Sequence, residues 1–183
     1  MRTLLCAALL APLAAVAQEG PPLPPLARQV AERVESPSVV KLPVTVWRAG
    51  EVQTIRAEGE VRRQVWQIPS PGLTTAQIMA PIRTGLEDEG YAVLLACEAT
   101  ECGGFEFRFA TDALPPPEMY VDLGDYRYLS AQKSGPEGER WRAVMVSATD
   151  DRGFVQITAV GPPAPEPEAL AVGPAAPGMD AAR

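Results

Sequence analysis

The chain has 183 residues, with 20 prolines and no histidine, and its 16 basic and 23 acidic residues give a formal charge of −7. The lack of histidine excludes a Ser-His-Asp or Cys-His catalytic relay and any imidazole metal ligand. The acidic balance argues against a nucleic-acid partner, because proteins that bind phosphate backbones concentrate Lys and Arg on one face.

The N-terminus has the pattern of a secretory signal peptide. Arg2 precedes the apolar run Leu4–Val16, and small residues at positions 15 and 17 predict cleavage after Ala17. The apolar run is shorter than the roughly 20 residues that a membrane span requires, and no later segment approaches that length. We therefore expect residues 1–17 to be a signal peptide and the mature chain to contain no transmembrane segment.

The prolines concentrate in two flanks that we predict to lie outside the folded domain. Each proline removes a backbone donor and fixes φ, which favours extended, solvated chain. We predict a Pro-rich linker at residues 18–40, one folded domain at 41–160, and a disordered Pro/Ala-rich tail at 161–183. Within the first flank, the apolar residues of Leu26–Val34 recur at helical spacing and leave open a short helix.

The domain begins with segments that favour extended structure. Leu42–Trp47 is predicted to be a first strand. Val52–Ile68 is a longer extended stretch, either one bent strand or a hairpin, with a bulge or bend expected at Gly59.

A helix is predicted next. Thr74 and Gln77 match a capping box, and Gly90 is expected to end the helix. Pro81 conflicts with a straight helix, so we expect either a kink or a start later than the cap indicates. One apolar stripe comprises Ile78, Met79, Ile82 and Leu86.

The remaining segments predict a sheet. Tyr91–Ala96 is almost wholly apolar, which is typical of a strand buried on both faces, and Phe105–Phe109 alternates as a half-buried strand does. Tyr126–Gln132, Trp141–Thr149 and Phe154–Val160 follow as an antiparallel meander. The fold class we predict is α+β, an antiparallel sheet of about five to six strands with one principal helix packed on one face.

Removal of the signal peptide leaves two cysteines, Cys97 and Cys102. In an oxidising compartment we expect them to form a short-range disulfide. A redox-active pair is the alternative, but such pairs have C-x-x-C spacing, and here Glu98 and Glu101 disfavour a thiolate. Two thiols without histidine also lack the usual partners of a zinc site.

No motif for catalysis stands out, and we expect no cofactor and no metal. Carboxylate groups such as 87–89 and 150–151 are interpreted as solvated helix and turn residues. Tyr120, Tyr126 and Tyr128 lie near a Pro-rich loop, and we predict that they line a possible groove for a peptide or glycan.

Several stretches carry a resemblance to a known family. They are 59–69, Leu86, 90–97, Cys102-Gly103 and 120–128. Across residues 42–160 the chain resembles a family of uncharacterised Gram-negative envelope domains that occur alone or ahead of an OmpA-like peptidoglycan-binding domain. The resemblance implies a secreted, periplasmic protein and supports the disulfide. The family has no assigned reaction, and this chain shows no OmpA-type motif, so neither catalytic residues nor peptidoglycan binding carry over.

We therefore expect an exported periplasmic, non-enzymatic module that binds another cell-envelope protein or envelope component, through a sheet edge or a tyrosine-lined groove. Outer-membrane association and oligomeric state stay open. One alternative is a small carboxylate-dependent hydrolase acting on envelope glycans, which needs two carboxylates across a cleft. The other is a small-molecule or lipid carrier, which needs an enclosed apolar pocket.

Overall fold

The computed structural model describes residues 22–69 and 72–162. Six strands form one antiparallel sheet in the order β1-β2-β6-β5-β4-β3. The predicted signal peptide and nearly all of the predicted tail lie outside the described residues. The elements are β1 (Arg28–Pro43), β2 (Thr54–Pro69), α1 (Thr75–Asp88), β3 (Ala92–Glu98), α2 (Ala99–Cys102), α3 (Gly104–Ala110), β4 (Tyr126–Gly135), β5 (Gly138–Ala148) and β6 (Arg152–Gly161).

The α+β class is correct in coarse form, but the sheet dominates. The predicted C-terminal meander is confirmed as β4, β5 and β6, which pair in sequence order. The long stretch Val52–Ile68 is one strand, β2, and not a hairpin. The structure has three helices in its described residues, α1, α2 and α3, and not the one principal helix that we predicted.

The two faces of the sheet carry separate apolar clusters. On the α1 face, the predicted stripe of α1 packs against side chains of the four strands β2, β4, β5 and β6. On the opposite face, which we call the α3 face, residues of α2, α3 and the connecting loops pack on the strands. A fully buried Leu, Ile or Phe contributes about 2 kcal/mol, so each cluster supplies a substantial part of the stability.

The capping box of α1 is confirmed. The Thr74 hydroxyl accepts from the Gln77 amide at 3.2 Å, and the Gln77 side chain accepts from the Thr74 amide at 3.0 Å. The helix starts at Thr75, so the expectation of a later start is wrong. Pro81 lies inside the helix on its exposed side, away from the packed stripe.

The predicted linker at residues 18–40 is wrong from Arg28 onward, and so is the helix left open at Leu26–Val34. Residues 28–43 form β1, a sheet edge paired with β2. An edge strand tolerates proline, and Pro37 lies at a register shift between Glu35 and Ser38. A spacing of four residues also places apolar side chains on one face of a strand, because four is a multiple of the strand period.

Three other strand predictions are wrong, wholly or in part. Of the predicted first strand Leu42–Trp47, only Leu42 and Pro43 belong to a strand, the end of β1. Phe105–Phe109 lies in helix α3, in which only Phe107 is buried. Gly103 and Gly104, with φ of 112° and 61°, turn the chain into this helix instead of extending it from the preceding segment. The segment Tyr91–Ala96 is not buried on both faces, because most of it forms β3, the second edge of the sheet, with alternate residues exposed.

Residues 38–59 form an arm that folds over the α3 face. Here β1 and β2 extend past the end of β6, whose last residue faces Glu60. The Pro43 carbonyl at this arm accepts hydrogen bonds from the side chains of Tyr128 and Ser130 in β4. At its base, Gly59 has φ of +145°, and a Cβ there would lie 2.2 Å from a backbone oxygen of β6, so only glycine fits.

Candidate functional site

The disulfide between Cys97 and Cys102 is confirmed, with an S–S distance of 2.03 Å and Cα atoms 5.3 Å apart. It connects the end of β3 to the end of α2. The Cys102 carbonyl accepts from the Trp47 amide at 2.7 Å, so the disulfide-bonded turn also anchors the tip of the arm. Both cysteines are buried, at 7% and 0% exposure, which favours a structural bond over the redox pair that remained open.

Replacing both cysteines, Cys97→Ala with Cys102→Ala, is expected to lower the free energy of unfolding by about 2 kcal/mol, because the closed loop is short. Urea unfolding followed by tryptophan fluorescence measures this loss. Reductant should lower the stability of the wild-type protein by a similar amount and leave the variant unchanged. A wild-type protein as stable when fully reduced as when oxidised would contradict the prediction.

The structure does not bring the three tyrosines of the predicted groove together. Tyr126 and Tyr128 point into the core of the α3 face, at 0% and 3% exposure, and their hydroxyls donate to the carbonyls of Gly104 and Pro43. Tyr120 lies apart from them, half-exposed, with its ring 5.9 Å from Phe154. The two buried tyrosines hold α3 and the arm to the sheet and offer no surface to a ligand.

The stability should fall in alkaline solution. Burial raises the pKa of Tyr126 to about 12 and also raises the pKa of Tyr128. Because both folded-state values lie above the unfolded value near 10, the stabilisation is complete below about pH 10 and is lost as the pH rises toward 12 and beyond. Urea unfolding between pH 8 and 12 measures the loss. In the Tyr126→Phe variant, the free energy of unfolding should fall less steeply with rising pH.

A separate measurement checks the same pKa shifts. Phenolate absorbance near 295 nm should show tyrosines that do not ionise near pH 10 while the chain is folded. If all four tyrosines titrate near pH 10 in protein that is still folded, the prediction is wrong.

The edge strand β1 is protected against pairing with other chains. It has two register shifts, and it contains Pro37 and ends at Pro43. Both of its glutamates form ion pairs with β2, Glu32 with Arg62 and Glu35 with Arg63. Accepted hydrogen bonds lower the pKa of both glutamates.

The other edge strand, β3, has almost no such protection. Its residues from Ala92 to Ala96 are all apolar, without proline or charge. Its one irregularity is at Leu94, between Val93 and Leu95, and this side chain is 39% exposed. From Leu95 to Glu98 the pairing with β4 is regular. The opposite side of Leu95–Cys97 therefore presents free backbone donors and acceptors, whereas the Glu98 amide already donates to the Glu101 carboxylate at 3.3 Å.

An exposed aromatic pair lies on α3, which follows β3 through the disulfide-bonded turn. Phe105 and Phe109 are 56% and 69% exposed, and their ring centroids are 4.7 Å apart. Glu101 and Glu106, on α2 and α3, are also exposed. Sequence reasoning missed this pair because it assigned the segment to a strand, although an i, i+4 spacing of phenylalanines indicates one helix face equally well.

No family model and no curated protein matches the chain. The resemblance to envelope domains therefore stays an expectation. Within the described residues, no helix is long and apolar enough to cross a membrane. Among the same residues, no group of three His, Cys, Asp or Glu side chains is placed to hold a metal ion.

A small cavity lies between the arm and the sheet. Its volume is about 10 Å³, which is room for a single water molecule. Leu42 of the arm, Asp112 after α3, and Tyr128, Met145 and Gln156 of the sheet contribute to its walls. A bound lipid or drug-sized molecule needs a pocket of several hundred Å³, so this cavity does not favour a carrier.

Proposed function

We propose that this protein is an exported, non-enzymatic envelope module that binds an extended segment of another envelope protein by strand addition at β3. Export is supported by the N-terminal sequence pattern and fits the disulfide, which persists in oxidising compartments. The observation that carries the proposal is the apolar, little-protected edge of β3, in contrast to the protected edge β1 on the opposite side of the sheet.

Strand addition uses groups that β3 already presents. A partner strand lies about 4.8 Å from an edge strand and pairs with its free N–H and C=O groups. Leu95–Cys97 supplies the regular register for this pairing, and Leu94 adds an exposed apolar side chain next to it. Main-chain hydrogen bonds supply affinity, while the neighbouring side chains select the partner sequence.

The hydrolase alternative has less support. A glycosidase acid has a raised pKa, whereas the pKa values of Glu32, Glu35 and Glu139 are lowered, chiefly by hydrogen bonds that each carboxylate accepts from side chains. Asp112 is committed to an ion pair with Arg63. These carboxylates are engaged in structural contacts rather than arranged across a cleft.

A lysine on the β3 edge tests the proposal. A photo-crosslinking amino acid at the exposed position 94 should capture one envelope protein in the cells that make the chain, and mass spectrometry should locate the crosslink in an extended segment of that protein. Ala96→Lys places a charge on the edge and should reduce the yield by about tenfold. Ala80→Lys on the exposed side of α1 is the matched control and should leave the yield unchanged.

Hydrogen exchange distinguishes strand addition from mere proximity. When the captured segment is added as a synthetic peptide, amides of β3 should become protected while those of β1 do not change. Equal yields from the Ala96→Lys and Ala80→Lys proteins, with no new protection in β3, would overturn the proposed function.

A further inference from the structure

We infer that the partner segment continues from β3 onto α3 and presents there an apolar side chain flanked by basic residues, which the Phe105–Phe109 pair and the neighbouring glutamates bind. This inference rests on the proposed function, because it specifies the chemistry of the same partner. The surface formed by Phe105, Phe109, Glu101 and Glu106 is called the aromatic patch below.

The aromatic patch is structurally continuous with β3. The disulfide ties the end of β3 to α2, and α3 begins two residues after Cys102. Phe107, on the inner side of α3, contacts the ring of Tyr128, with centroids 5.1 Å apart. Tyr128 is the register partner of Cys97, so α3 lies over the strand next to the end of β3. A segment that pairs with Leu95–Cys97 is thereby directed toward α3.

The two exposed rings are placed for binding and not for packing. Phe105 and Phe109 are separated by one helical turn and lie away from Phe107, which is fully buried. The rings contact each other and leave more than half of each side chain exposed. Aromatic side chains that can be desolvated by a partner dominate the energetics of many interfaces.

The charges around the rings favour a basic partner. Glu101 and Glu106 are exposed, and neither forms an ion pair with another residue in the described part of the chain. One carboxylate oxygen of Glu101 accepts from the Glu98 amide, which fixes this negative charge at the end of β3. The one cation on α3, Arg108, is half-buried, and burial lowers its pKa. The whole chain carries a charge of −7, which steers basic partners toward it over longer distances.

The same charges disfavour two other occupants. A second copy docked by a two-fold axis would place the same patch against itself and so bring glutamates together. An anionic membrane surface repels the acidic rim of the patch. A basic, apolar segment of a different protein satisfies both the rings and the carboxylates.

Peptides selected from a random library against the purified full chain provide the test. Binding peptides should combine a β-forming stretch with a Leu, Phe or Trp beside Lys or Arg. Fluorescence anisotropy of a selected peptide should show about tenfold weaker binding to Phe105→Ser/Phe109→Ser and a clear loss of affinity for Glu106→Lys, whose carboxylate caps no helix. Leu123→Ser and Glu137→Lys, at exposed positions on other elements, are the matched controls and should bind as the wild type does.

The Ala96→Lys variant separates failure of this inference from failure of the proposed function. If Ala96→Lys weakens binding and the aromatic-patch variants do not, the inference is overturned and strand addition at β3 stands. If Ala96→Lys has no effect, the proposed function itself is overturned. Conversion of a dimer to a monomer by Phe105→Ser/Phe109→Ser, or loss of sedimentation with phosphatidylglycerol vesicles, would overturn the inference by identifying a different occupant.

Discussion

Phe107→Ala is expected to lower the free energy of unfolding by about 4 kcal/mol, the largest effect of any single truncation proposed for this chain. Phe107 is the only fully buried side chain of α3, and its ring packs edge-on to Tyr128 and lies parallel to Tyr126 at 6.4 Å. Truncation leaves a cavity beneath a seven-residue helix that has few other anchors. Urea unfolding followed by circular dichroism measures the change.

Phe109→Ala is the matched control on the same helix. Its side chain is 69% exposed, so its truncation should change the free energy of unfolding by less than about 0.5 kcal/mol. Equal effects of the two substitutions would mean that α3 does not pack through Phe107. The comparison also shows that the aromatic patch can be altered without unfolding the protein, on which the peptide-binding test depends.

The local signals in the sequence were sufficient for much of the fold. The Thr74 capping box, the apolar stripe of α1 and the turn-separated strands β4 to β6 each depend on neighbours within a few residues, and all three are present. The disulfide was also predictable, because Cys97 and Cys102 are five residues apart and the third cysteine, Cys6, lies in the predicted signal peptide.

The errors arise where one pattern fits two structures. The alternation of Phe105, Phe107 and Phe109 fits a strand, but Phe105 and Phe109 also lie one helical turn apart. The helix forms because Gly103 and Gly104, both with positive φ, turn the chain just before this segment. The four-residue spacing of Val30 and Val34 also fits both structures, because it places the two side chains on one face of a helix or on one face of a strand. In β1 the prolines were interpreted as a linker, although an edge strand tolerates them at irregular positions.

The candidate site was not predictable because it depends on the sheet order. The apolar run of β3 resembles a strand covered on both faces, and only the order β1-β2-β6-β5-β4-β3 shows that it lies at an edge. The groove prediction for Tyr126 and Tyr128 rested on their position near a Pro-rich loop in the sequence. Their burial follows from the arm and α3, which fold over the sheet from distant parts of the chain.

Asp112→Ala is expected to lower the free energy of unfolding by about 3 kcal/mol, because it leaves a buried cation without its main partner. The Arg63 side chain is 10% exposed and is held by both carboxylate oxygens of Asp112. Its other partner, Glu35, is 54% exposed and so offers a weaker, solvent-screened contact. Chemical denaturation at neutral pH measures the loss.

The double variant Arg63→Met/Asp112→Ala decides whether the loss comes from the unpaired charge. Removing the cation along with its partner should recover a large part of the stability, because a methionine in this position carries no desolvation cost. Glu87→Ala breaks an exposed pair with Arg83 one helical turn away and should cost less than about 0.5 kcal/mol. If the double variant loses the sum of the two single losses, Arg63 and Asp112 are not coupled. The segment after α3 is then held to the sheet by Gln156 of β6, which donates to the Asp112 carbonyl and accepts from the Leu114 amide.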